Sequence, residues 1–136
     1  MSDAQNLAYS VVQVLHNFGA VAAVGGSLAA TKIKSTDARK KLAWLALSGW
    51  GTQGASGAAF GAVSYYYYGR FPDISGIAVA ALLIKMACVA TGFLLLAAYL
   101  YWSANWTERK RNGAWHASST LAVTALSAAA FLRWFF

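Results

Sequence analysis

ISGIAVAALLIKMACVATGFLLLAAYLYW, Ile74 to Trp102, decides the fold, because a single charge, Lys85, interrupts an apolar run long enough to cross a bilayer. A spanning helix needs roughly 20 mostly apolar residues, and lipid offers unpaired backbone groups no partner, so such a run is helical. Three further stretches of the same kind accompany it, from about Leu7 to Ala30, Leu42 to Tyr66 and Ala114 to Phe135. The expected fold is all-α. It is a single domain, residues 1–136, forming a four-helix transmembrane bundle with helices over about 7–30, 42–66, 74–102 and 114–135. Of the 136 residues, 59% are hydrophobic and 11% charged, which suits one compact unit in lipid. Mean hydropathy is only +0.48, because Ala, Gly, Ser and Tyr dilute the larger aliphatics. Small residues of that kind let helices approach closely.

The net charge of +7 is carried in the connections. Most of the 11 Lys and Arg fall in two segments, Thr31 to Lys41 and Ser103 to Gly113. Arg70 and Arg133 belong to the opposite side. Basic residues in short loops set topology, so both loops are expected in the cytoplasm. The N-terminus, the C-terminus and the Tyr67–Asp73 loop are then non-cytoplasmic, as in a multi-pass protein of a bacterial-type inner (cytoplasmic) membrane. The same reading makes lipid, and no nucleic acid, the partner of the positive charge. MSDAQN lacks a positive n-region, so the first helix reads as retained. Trp44, Trp102, Trp106 and Trp115 are expected at the cytoplasmic interface, and Tyr65, Tyr66, Tyr67, Tyr68, Phe71 and Trp134 at the other.

Gly19, Ala23 and Gly26 share a face of the first helix, and Gly54, Gly57 and Gly61 a face of the second. Such faces serve close helix packing, or make room for a flat cofactor. Lys85 is the residue least at home in lipid. It stands about ten residues from the outer end of its helix, roughly 15 Å deep. A mid-membrane lysine costs about 2.5–3.5 kcal/mol, so a partner or a function is the default expectation. In its neutral form the nitrogen has a lone pair to offer. His16 lies at nearly the same depth in the first helix, and Gln53 reaches that layer from the second. His116 is offset from His16 by roughly 15 Å along the membrane normal, which disfavours one haem bridging the two. His116, Thr120, Thr124 and Ser127 form a polar stripe suited to interhelical hydrogen bonds. Met86 and Cys88 flank Lys85, and soft sulfur ligands suit Cu(I). Cys88 is the only cysteine, so no internal disulfide forms.

Three segments together resemble the CopD-like superfamily of small four-helix membrane proteins. They are LHNFGAVAAVGG (Leu15–Gly26), RKKLAWLALSGW (Arg39–Trp50), and YGR (Tyr68–Arg70) followed by LLIKM (Leu82–Met86). That group includes proteins tied to copper uptake or export. It is also distantly similar to the HemJ type of protoporphyrinogen oxidase, whose first-helix histidine and third-helix lysine are implicated in b-type haem binding. The matching positions here are His16 and Lys85. The chain departs from that type in having Ala23 and Val24 where a tryptophan is usual. It also reads SLAATK (Ser27–Lys32) in place of Pro-Arg. The resemblance therefore implies the haem site more than the oxidase activity.

Three functions follow as expectations. The leading one is a small redox protein or subunit holding one haem b. His16 and Lys85 would be its ligands, with Gln53, Gly54 and Gly57 beside the ring. Electrons would come from a quinol, another membrane subunit or an outer-face carrier. A second is an accessory subunit, or a homo-oligomer, stabilising a larger membrane complex. A third is copper transport or handling through His16, Lys85, Met86 and Cys88. A stand-alone enzyme is not expected, because no nucleophile–base pair, phosphate loop or carboxylate pair is present. The only acids, Asp3, Asp37, Asp73 and Glu108, lie outside the apolar runs.

Overall fold

The computed structural model describes residues 1–135. Four α-helices make up the chain: α1 (Asp3–Lys32), α2 (Thr36–Tyr68), α3 (Ile77–Trp102) and α4 (Glu108–Phe135). A 3₁₀ turn, Ser103–Asn105, joins the last two. Among the described residues there is no strand.

Local chemistry sets the helix ends. Ser2 and Ser35 cap α1 and α2, their hydroxyls accepting from the Gln5 and Ala38 amides, donors that a helix start leaves unpaired. α2 stops at Gly69, whose left-handed φ of 67° lets its N–H donate to the Tyr65 carbonyl. Thr107 caps α4 through the Lys110 amide. The helices therefore begin and end elsewhere than the apolar runs do. α2 starts at Thr36 rather than near Leu42, α3 at Ile77 rather than Ile74, and α4 at Glu108 rather than near Ala114. The basic residues Arg39, Lys40, Lys41, Arg109, Lys110 and Arg111 are consequently helical, not loop, residues.

Each helix packs on two neighbours in the cyclic order α1, α2, α3, α4, which sets α1 and α3 at opposite corners. The interior is made of small side chains. Ala23, Ala30, Ala43, Ala46, Ala78, Ala81, Ala122 and Ala128 are buried, with Trp50, Leu96, Tyr99 and Trp115 the large apolar exceptions. Large apolar residues point outward on every helix, among them Phe18, Val21, Leu45, Leu83, Leu94, Leu126 and Phe131. α1 and the run Ile77–Asn105 are long and apolar enough to cross a membrane. α2 and α4 have the length but not the apolarity. α2 is rich in Gly, Ser and Tyr, and α4 opens on Glu-Arg-Lys-Arg.

Glycine carries the tightest contact. A Cβ on Gly49 would lie 2.5 Å from the Ala23 amide nitrogen and 2.8 Å from the Gly19 carbonyl oxygen, so α1 and α2 touch backbone to backbone there. Gly19, Ala23 and Gly26 do form one packed face. The second expected face behaves otherwise. Gly54 meets only Val89, Gly61 only Phe71, and nothing lies within 4 Å of Gly57. Burial along α1 is uneven as well. Apart from Gln5, which donates to the Tyr68 hydroxyl, its buried residues run from Gly19 to Ala30.

Trp115 is fully buried within the bundle, its ring 5.0 Å from that of Tyr99, which also meets Trp106. One expectation needs correction: the polar stripe on α4 does not bridge helices. Thr120 and Ser127 donate back to the His116 and Val123 carbonyls of their own helix, as helical hydroxyls do when no partner faces them. The bond that does join α1 and α4 is Ser27–Ser118, oxygen to oxygen at 2.8 Å and wholly buried.

At the basic end, Arg39 is 2% exposed, and its Nε donates to the Ala30 carbonyl near the end of α1. Its guanidinium also meets Glu108, 3.5 Å away, which pairs with Arg111 as well. One side chain thus ties the ends of α1, α2 and α4 together. Arg39→Met should cost about 1–3 kcal/mol, since a buried carbonyl loses its donor. Glu108→Gln should cost less than about 1 kcal/mol, because that carboxylate is solvated. Unfolding in mixed micelles compares the two.

Candidate functional site

His16 sits midway along α1 on the side that faces α2. It is half-buried, with the edge of its ring against Phe60 at 5.5 Å between centroids. Three groups hold it. Its Nδ1 is 2.6 Å from Ser56 Oγ, and its Nε2 is 2.9 Å from Lys85 Nζ. Its backbone carbonyl accepts from Gln53 Nε2. Gln53 and Ser56 belong to the buried face of α2 that also carries Ala46 and Gly49, so the glycine contact presses this face against His16. Lys85 comes from the opposite corner of the bundle, reaching inward from α3.

The two residues expected at one depth are therefore in direct contact, and Gln53 joins them. Gly54 packs on α3 through Val89, and Gly57 fronts open space. The sulfurs do not join the group in the same way. Cys88 is part of the buried core, whereas Met86 is 57% exposed on the outside of α3. His116 is exposed on α4. Among the described residues no three His, Cys, Asp or Glu side chains cluster as a metal site.

Ser56 is the functional residue that the sequence reading passed over. A signal was available. Ala46, Gly49, Gln53 and Ser56 recur at spacings of three and four, so the face that packs on α1 turns polar at the level of His16.

The donors can be tested against a haem. Two axial ligands of one iron stand about 4 Å apart, twice a metal–nitrogen bond of about 2 Å. His16 Nε2 and Lys85 Nζ point at one another from opposite corners, 2.9 Å apart. A metal held by both would require the two donors to part. A lysine side chain with four rotatable carbons accommodates such a change. The donor chemistry fits, since imidazole and amine are both nitrogen ligands with lone pairs once neutral.

No protein-family model matches the sequence, and neither a curated protein nor a solved structure matches it.

Proposed function

We propose that this chain is a multi-pass membrane redox subunit in which His16 and Lys85 would hold one b-type haem. The observation that carries the reading is the meeting of two nitrogen donors, from opposite corners of a small apolar bundle, at 2.9 Å. A haem supplies a one-electron couple at such a place. His16 offers Nε2, while Ser56 and Gln53 hold its ring and backbone. Lys85 closes the site from α3.

The membrane setting is supported by the inverted distribution of side chains. An alanine-rich interior with large apolar residues outside suits lipid, where helix packing relies on small residues. In water so many exposed apolar side chains would form patches. The basic end tied together by Arg39 is assigned to the cytoplasm, and both termini to the other side. Short connections and little protein outside the bundle favour work within a larger membrane complex. Electrons would be exchanged there with a quinol, a neighbouring subunit or an outer-face carrier.

A dithionite-reduced minus oxidised spectrum of gently purified protein is expected to show sharp α and Soret bands. A flat spectrum at full protein yield overturns the haem reading. Topology is checked in a Cys88→Ser background by single cysteines at Lys34 and Asp73. An impermeant thiol reagent added to intact cells should label the second and spare the first. The reverse pattern inverts the orientation.

A further inference from the structure

We infer that Ser56 is a positioning residue that fixes the tautomer of His16, keeping the proton on Nδ1 and the lone pair on Nε2. The inference rests on counting hydrogens. A serine hydroxyl has one proton and two lone pairs. Ser56 Oγ stands 2.6 Å from the Thr52 carbonyl oxygen, 3.4 Å from the Gln53 carbonyl oxygen and 2.6 Å from His16 Nδ1. Both carbonyls only accept, and the nearer must receive the hydroxyl proton, because two oxygens at 2.6 Å with no hydrogen between them repel. The serine then has only a lone pair left for the ring. Nδ1 must therefore be the N–H donor, and Nε2 carries the free pair of the neutral imidazole.

The third contact agrees. Lys85 Nζ lies 2.9 Å from Nε2 and has only N–H groups to offer when charged, so it donates to that lone pair. Protons along Lys85, His16, Ser56 and the Thr52 carbonyl all point the same way, toward the backbone of α2. The site is thus prearranged from the side remote from Lys85, and the backbone of α2 supplies the anchor. Ser56 is itself buried, so water does not substitute for the hydroxyl without repacking. Partners of this kind orient metal-bound histidines, and their loss typically costs about 10–100-fold in affinity.

The tautomer part stands apart from the haem reading, and the affinity part rests on it. Full-length protein labelled with ¹⁵N-histidine is reconstituted in nanodiscs without haem, and the His16 signals are identified with a His116→Asn variant. The wild type should show the Nδ1–H form alone. Ser56→Ala should show a mixture of both tautomers, and Ser56→Thr, which keeps a hydroxyl able to bond the same carbonyl, should restore the single form. Titrating each protein with haem should give about 10–100-fold weaker binding for Ser56→Ala at unchanged helical circular dichroism. An unchanged tautomer in Ser56→Ala overturns the inference, as does unchanged haem affinity beside a scrambled tautomer. Haem that binds no variant, the wild type included, overturns the haem reading, and the tautomer arm alone then decides the role of Ser56.

Discussion

A His16→Gly protein should fold, insert and purify without haem, and added imidazole should restore its Soret band. The bundle is not held together at this residue. His16 is half-buried and gives up two bonds, one to Ser56, whose hydroxyl keeps its partner in Thr52, and one to Lys85. The loss of stability should therefore be about 2–4 kcal/mol, part of it the glycine in a helix. Retention of haem is another matter, because the axial bond itself disappears. The loss should exceed the roughly 10–100-fold that outer partners cause. Free imidazole fits the space the ring leaves and can reach the same hydroxyl. Full haem content in the variant would move the site elsewhere. An apo protein that imidazole fails to restore would point to a structural role for His16.

The second large effect is expected at Gly49. An added methyl group would overlap the backbone of α1 at Ala23 and Gly19. Backbone atoms in a packed helix pair cannot rotate aside as a side chain can. Gly49→Ala should therefore cost about 3 kcal/mol, at the upper end of overpacking penalties. Gly57→Ala, whose methyl group meets nothing within 4 Å, should be neutral or slightly stabilising through helix propensity. Unfolding in mixed micelles separates the two, and equal effects would show that the α1–α2 contact is looser than described. Spreading α1 from α2 also draws His16 away from Ser56 and Gln53, so Gly49→Ala should weaken haem binding without touching a ligand.

The architecture was readable where physics leaves one solution. Apolar runs separated by charge specify helices, and one lysine in Ile77–Trp102 marks a depth that His16 shares. That equal depth became a direct contact follows from the corners the two helices occupy. Which corner each helix takes is decided by packing, and no periodicity in one helix reports it. For the same reason the shared face of Gly54, Gly57 and Gly61 did not locate the close contact, which formed at Gly49 opposite Gly19 and Ala23. Spacing defines a face but not its neighbour. That Trp115 points into the bundle against Tyr99 is likewise a matter of packing. Arg39 looked like one more topological charge, but it is the buried clasp of three helix ends.

The uneven burial along α1 has a mechanical consequence. From Gly19 to Ala30 the helix is gripped by α2 and by the serine pair with α4, whereas from His16 back to Gln5 it is held only through side chains of α2 and α3. A rod held at one end is a lever, and His16 rides just past its fulcrum. From the middle of the grip to His16 is about eight residues, or roughly 13 Å of arm. The stiff end preserves the assembly while the other end can give, so a cofactor of the proposed kind would enter a chain that has already completed its fold.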